Sequence, residues 1–187
     1  MADSQISCVV LAAGASRRFG SEKMVARLSD GRSMLETTIK KYRQVFDTVW
    51  VVSRDEYAQE ISQHGGRFVP SPQKDKGMSQ SLIAGVQACE SSEAWAIALA
   101  DMPYIETHTI KQLVSKAAVN RIIVPSYEGQ RGNPVILGRE FHNEILALTG
   151  DVGAKSICLA NPERLELLPV DDQGVLHDVD TPEAILS

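Results

Sequence analysis

The residues best suited to chemistry lie in three short strings. The first runs from Leu11-Ala12-Ala13-Gly14 through Arg17 and Arg18 to Lys23 and joins small residues to three cations. Small side chains let backbone N–H groups approach an anion, and the cations add charge, so this loop reads as a phosphate-binding turn. It is no Walker A loop, because no Gly-Lys-Ser/Thr follows Gly14 at the required spacing, and it does not fit GxGxxG. The second string, Ala100-Asp101-Met102-Pro103, sets a carboxylate after an apolar run. Mg²⁺ takes one or two carboxylates plus phosphate oxygens, so Asp101 reads as a metal ligand or as a turn residue. The third, His177-Asp178-Val179-Asp180-Thr181-Pro182-Glu183, offers another carboxylate. Asp180 reads as a second ligand or as the N-cap of a short helix with Pro182 in its first turn.

The elements that must position these strings alternate along the chain. Buried strands are expected at 6–12, 48–52, 67–69, 95–100 and 121–125, and a shorter one at 134–137. Between them, Ser33 and Glu36 form a capping box for a helix reaching about Phe46. Further helices are expected at 55–64, 79–89, 107–119, 139–148 and 152–160. Strand-like residues follow at 164–169 and 175–179, before a short terminal helix at Thr181-Pro182. Repeated strand–helix–strand units predict a three-layer α/β/α fold with a mainly parallel, Rossmann-like sheet, in one domain spanning 1–187. Ligands of such sheets bind beyond the carboxyl ends of the strands, where Gly14 and Asp101 both fall.

Composition narrows the classes. Of 187 residues, 43% are apolar and 23% charged, which suits a folded globular chain. The apolar stretches at Cys8–Ala15 and Ala94–Ala100 fall far short of the ~20 residues a membrane span needs. Asp3 and the lack of an N-terminal basic region argue against a secretory signal, so a cytoplasmic protein is expected. A net charge of −5 disfavours nucleic acid as a partner. Charge is uneven: residues 1–78 carry twelve Lys/Arg against nine Asp/Glu, and residues 79–187 seven against fifteen. That is either solvated surface or an anion-holding first half facing a cation-holding second half. Three separated cysteines and four scattered histidines show no metal-ligand spacing.

Six strings in one order carry more than any alone. They are Leu11 to Lys23, Gly77-Met78-Ser79-Gln80-Ser81-Leu82, Leu99 to Pro103, Gly132-Asn133-Pro134-Val135, Gly150-Asp151-Val152-Gly153-Ala154-Lys155 and Asp178 to Pro182. The set resembles the molybdopterin nucleotidyltransferase family, most closely its molybdenum cofactor cytidylyltransferases, from Leu11 to Glu183. The resemblance implies a nucleotidyltransferase fold. It implies a nucleotide received by Leu11, Ala12, Ala13 and Gly14, with Arg18 and Lys23 near its phosphates. Ser79 and Ser81 would face base and ribose, and Asp101 and Asp180 would hold Mg²⁺, with Lys23, Arg18 and Asp101 as the catalytic set. The implied reaction moves CMP from CTP to the phosphate of molybdopterin or molybdenum cofactor, with a client molybdoenzyme or its chaperone as a further partner.

Asn133 stands where the family often has histidine, and Lys155 where it often has arginine, which leaves the acceptor open. Asp151 and Lys155 could also simply pair across one helical turn. Transfer to a sugar or polyol phosphate, or a non-catalytic cofactor carrier, are the competing readings. A redox enzyme would lack its nicotinamide fingerprint, and Gly77-Met78-Ser79-Gln80-Ser81 lacks the last glycine of GxSxG.

Overall fold

A computed structural model describes residues 6–13, 23–71 and 77–185. Its strands are β1 Ile6–Leu11, β2 Val49–Ser53, β3 Arg67–Pro70, β4 Ala94–Leu99, β5 Ile122–Tyr127, β6 Gln130–Arg131, β7 Val135–Gly138 and β8 Leu165–Pro169. The helices are α1 Met34–Tyr42, α2 Ala58–Gln63, α3 Gly77–Ala88, α4 Thr107–Ser115, α5 His142–Leu146 and α6 Ala154–Ala160. One sheet runs in the order β3-β2-β1-β4-β7-β5-β6, with β8 paired to β5. The β3-β2-β1-β4 block and the β5–β8 pair are parallel, while β7 lies antiparallel to both β4 and β5. The expected mainly parallel sheet is present, with an antiparallel insertion on one side of the site.

The layers follow from strand alternation. Successive side chains point to opposite faces. Cys8, Val10 and Ala12 therefore join one core with Leu35, Ile39, Ile110 and Leu113 of α1 and α4. Val9 and Leu11 join the other, with Leu82 and Val86 of α3 and Ile157 of α6. Gly85 lets α3 lie close on the sheet, since a Cβ there would stand 2.9 Å from the Val52 side chain. This is the three-layer arrangement expected from the apolar pattern.

Local differences have local causes. Ser33 caps α1 through Glu36 N at 3.0 Å, yet α1 ends at Tyr42 and turns carry the chain to a buried Phe46. The α4 helix stops at Ser115, where Lys116 and Ala117 N–H groups tighten onto Leu113 and Val114 carbonyls. The segment 175–179, expected as a strand, forms instead a 3₁₀ turn at Gln173–Leu176 followed by irregular chain. Its backbone groups go to separate loops: Val175 C=O accepts from Asn133 N, and Val179 N donates to Asp101 C=O. The expected terminal helix is one 3₁₀ turn, Pro182–Ala184. The sequence reading also misses β6. Glu128 and Gly129, at φ of 48° and 79°, make the turn that folds it back on β5.

Candidate functional site

Two strand ends lie side by side at the carboxyl edge of the sheet. Leu11 of β1 pairs with Val52 of β2 and Leu99 of β4. The ladder extends past both ends, as Ala12 N donates to Val52 C=O and Ala100 N to Leu11 C=O. Leu11 and Ala12 are buried and Ala13 half-buried, so the first expected nucleotide contacts open directly off the central strand. Gly14, Arg17 and Arg18 lie outside the described residues.

The chain re-emerges at a 3₁₀ turn, Lys23–Val25, with Met24 buried in the core. A lysine in a glycine-bounded loop reads as a surface cation, but Lys23 is only 6% exposed. Its Nζ donates to Asp101 Oδ2 at 2.8 Å and to Asp180 Oδ1 at 2.7 Å. Burial alone would lower its pKa. The hydrogen bonds and charges of the two aspartates outweigh that and hold the ammonium above its ordinary value.

The aspartates meet because the backbone is tied beneath them. Val179 N donates to Asp101 C=O at 2.8 Å, which lays the 177–181 segment against the turn after β4. Thr38 of α1, fully buried, donates its hydroxyl to Ala100 C=O at 3.0 Å and fixes the residue before Asp101. The Tyr104 ring meets the His177 ring edge-on at 5.1 Å, and His177 Nε2 stands 2.8 Å from Ala184 C=O. The N-cap position of the last turn falls on Thr181, whose side chain makes no cap hydrogen bond, so Asp180 is not the N-cap residue. Asp178, the alternative carboxylate, is exposed and has no ion-pair partner among the described residues.

The donor set fits a hard divalent ion. Mg²⁺ binds through one or two carboxylates, keeping its other positions for water and phosphate oxygens. Asp101 and Asp180 supply two carboxylates around one cation position, and no cluster of three ligating side chains exists among the described residues. A separate cavity of about 260 Å³, lined in part by Arg32, Lys40, Lys41 and Tyr104, flanks α1 and excludes Lys23, Asp101 and Asp180.

The second string has a more structural role than its sequence suggests. Ser79 is fully buried and donates to Gly150 C=O at 2.7 Å, and Met78 N donates to Asp151 Oδ1 at 3.1 Å. Asp151 thus caps α3 and does not pair with Lys155. Gly77, at φ 76°, packs so closely on this loop that a Cβ would stand 2.7 Å from Asp151 N. Ser81 Oγ lies 3.2 Å from Ser71 Oγ, at the start of α3 where a ribose or base is expected. Asn133 uses its backbone to hold Val175. Thr38, Ser71 and Asp172 escaped the sequence reading. Asp172 is 3% exposed and accepts from Glu106 N and Gly174 N, fixing the turn that leads to Asp180. A lone hydroxyl in a helix, or one acid among many, gives no sequence signal.

Known proteins are similar to this chain in sequence and in fold. The purine catabolism protein PucB of Bacillus subtilis is 30% identical over 94% of this chain and 91% of its own. Nicotine blue oxidoreductase of Paenarthrobacter nicotinovorans is 25% identical, over 98% and 97%. The molybdenum cofactor cytidylyltransferase of Escherichia coli is 21% identical, over 98% and 95%. A probable molybdenum cofactor guanylyltransferase of Natranaerobius thermophilus is 30% identical, over 66% and 62%. Among solved structures, Rv0371c of Mycobacterium tuberculosis superposes with a TM-score of 0.83 at 25% identity, over 98% of this chain and 96% of that one. Residues 8–165 match the MobA-like NTP transferase domain from β1 into β8, so the chain belongs to that family and is a nucleotidyltransferase.

Proposed function

We propose that this enzyme transfers CMP from CTP to the terminal phosphate of a molybdopterin-type acceptor, releasing pyrophosphate. The observation that carries the reading is the convergence of Lys23, Asp101 and Asp180 at the end of β1 and β4. The acceptor class follows relatives named for molybdenum cofactor cytidylyl and guanylyl transfer. CTP is preferred to GTP here because the Ala13 methyl narrows the space beside the base, and a misplaced guanine would leave polar groups unpaired.

The acceptor phosphate has its second pKa at about 6, so it is ionised at neutral pH and needs no general base. One of its oxygens forms the new bond to the α-phosphorus. The bond from that phosphorus to the bridging oxygen breaks, and its electron pair leaves with pyrophosphate. Asp101 and Asp180 would hold a divalent cation, which when bound supplies charge neutralisation for the phosphates. Lys23 and Arg18 add charge at the triphosphate, and the Leu11–Gly14 backbone orients it.

A screen of CTP, GTP and other nucleotides against molybdopterin, with and without molybdenum, and against sugar and polyol phosphates tests the reading by pyrophosphate release. CTP with a molybdopterin acceptor should dominate. Dominance of GTP overturns the nucleotide, and turnover with a sugar phosphate alone overturns the acceptor. The oxidoreductase name of one full-length relative raises a redox reading, which reduced nicotinamide consumption in the same screen would reveal.

A further inference from the structure

We infer that the cavity beside α1 is a second anion site, which takes a small phosphate, either the free ion or the phosphate group of a monoester. It stands apart from the nucleotidyl-transfer site, because none of Lys23, Asp101 and Asp180 lines the cavity. Its volume of about 260 Å³ falls below the ~300–1,000 Å³ typical of drug-sized ligands, so a small occupant fits it. The charged residues of its lining are Arg32, Lys40, Lys41 and Asp30, a positive surplus in a chain of net charge −5. A phosphate monoester, with its second pKa at about 6, is mostly a dianion at neutral pH and matches that surplus.

Lys41 is the residue that calls for an anion. It is half-buried, and its Nζ donates to the neutral Pro103 carbonyl at 2.5 Å. No ion pair joins it to an acid among the described residues, and Asp172 and Glu106 act on it only through longer-range charge. Burial pushes the Lys41 pKa below its ordinary value, the Arg32 charge pushes the same way, and the two acids do not make up the difference. An oxyanion in the cavity supplies the counter-charge in a place already partly closed to water.

The other donors are placed to share it. Thr37, Lys40, Lys41 and Gln44 line the cavity at three- and four-residue spacing, so one face of α1 and its following turn presents them together. Arg32 gives two of its five donors to Asp30, one of them Nε at 2.8 Å, and Lys40 gives one of its three to Glu36 at 2.7 Å. Both cations keep donors to spend. Thr37 Oγ1 is buried with no hydrogen-bond partner among the described residues, so the same helix wall holds an unspent hydroxyl.

The test titrates inorganic phosphate, and in a second arm glycerol 3-phosphate, onto the protein by isothermal calorimetry. Wild type should bind saturably in the millimolar range or tighter. Lys41→Met keeps the apolar stem and removes the charge, and Arg32→Gln alters a side chain that is 47% exposed. Each should weaken binding about tenfold to a hundredfold, the effect of one lost charge-assisted contact. Tighter binding of inorganic phosphate assigns the site to the free ion, and tighter binding of glycerol 3-phosphate assigns it to a monoester. Unchanged affinity in both variants overturns the inference, since the phosphate would then sit elsewhere, and a parallel titration of Lys23→Gln shows whether that place is the nucleotide loop. Absence of saturable binding by wild type overturns it too. Arg32→Gln keeps the test decisive if Lys41→Met fails to fold by circular dichroism.

Discussion

At Asp180 the choice between ligand and scaffold comes down to one oxygen. Asp180→Asn preserves size and removes the charge that faces Lys23 at 2.7 Å. The fold should hold, because the segment is tied through Val179 N–H to Asp101 C=O. Loss of a charge-assisted contact is worth about 1.5–3 kcal/mol, so turnover at low Mg²⁺ should fall roughly tenfold to a hundredfold. The deficit should shrink as Mg²⁺ is raised. Full activity at low Mg²⁺ would remove Asp180 from the site. The cysteines make the opposite case. Cys8, Cys89 and Cys158 are 0%, 6% and 4% exposed, and burial pushes every thiol up, Cys89 to about 11. Only a thiolate attacks an alkylating agent. Native protein at pH 8 should resist iodoacetamide and take up three labels once unfolded, as counted by mass spectrometry. Rapid labelling of the native chain would contradict the burial described.

Among the elements, α3 depends on a residue 73 positions away. Asp151 accepts from Met78 N, and Ser79 donates to Gly150, so the loop before α6 holds the N-terminus of α3. Replacing an N-capping carboxylate costs about 1 kcal/mol, and Asp151→Ala should lower stability by that amount in urea unfolding. Because α3 starts where base and ribose are expected, KM for the nucleotide should rise more than kcat falls. An unchanged KM would confine Asp151 to stability. This contact shows where sequence reasoning stops. The capping box of Ser33 and Glu36 is local, so it is visible three residues apart and present in α1. The apolar runs of β1 and β4 are equally local signals, and their parallel pairing brings Ala12 and Asp101 to one edge, whereas Asp180 reaches that edge through an irregular segment tied to Asp101 C=O. Asp151 looked like a partner for Lys155 because four residues is a helical spacing, but its actual partner is set by tertiary packing. Segment 175–179 looked like a strand by composition alone, and its carbonyls and amides were instead claimed by Asn133 and Asp101. Lys23 could not be read as buried, since nothing in its neighbours announces two distant carboxylates.

For the molecule as a whole, one sheet separates two cores that share every central strand. Trp95 lies in β4 at the middle and Trp50 in β2 toward one edge. If 1–187 is a single cooperative unit, tryptophan fluorescence and far-ultraviolet circular dichroism should report coincident urea transitions. Separated midpoints would divide the chain. The position of β8 bears on how the protein is made. Among the described residues every strand is complete by Pro169, yet the backbone tie from Val179 to Asp101 and the Asp180 carboxylate come afterward. On the ribosome, the strand segments therefore emerge before the last of these three charged groups. Until then one of the two carboxylates described at Lys23 is missing. The growing chain completes its strands before its site, and the same late segment carries the buried Val175 and Val179, so a product interrupted after Pro169 would lack core packing as well as chemistry.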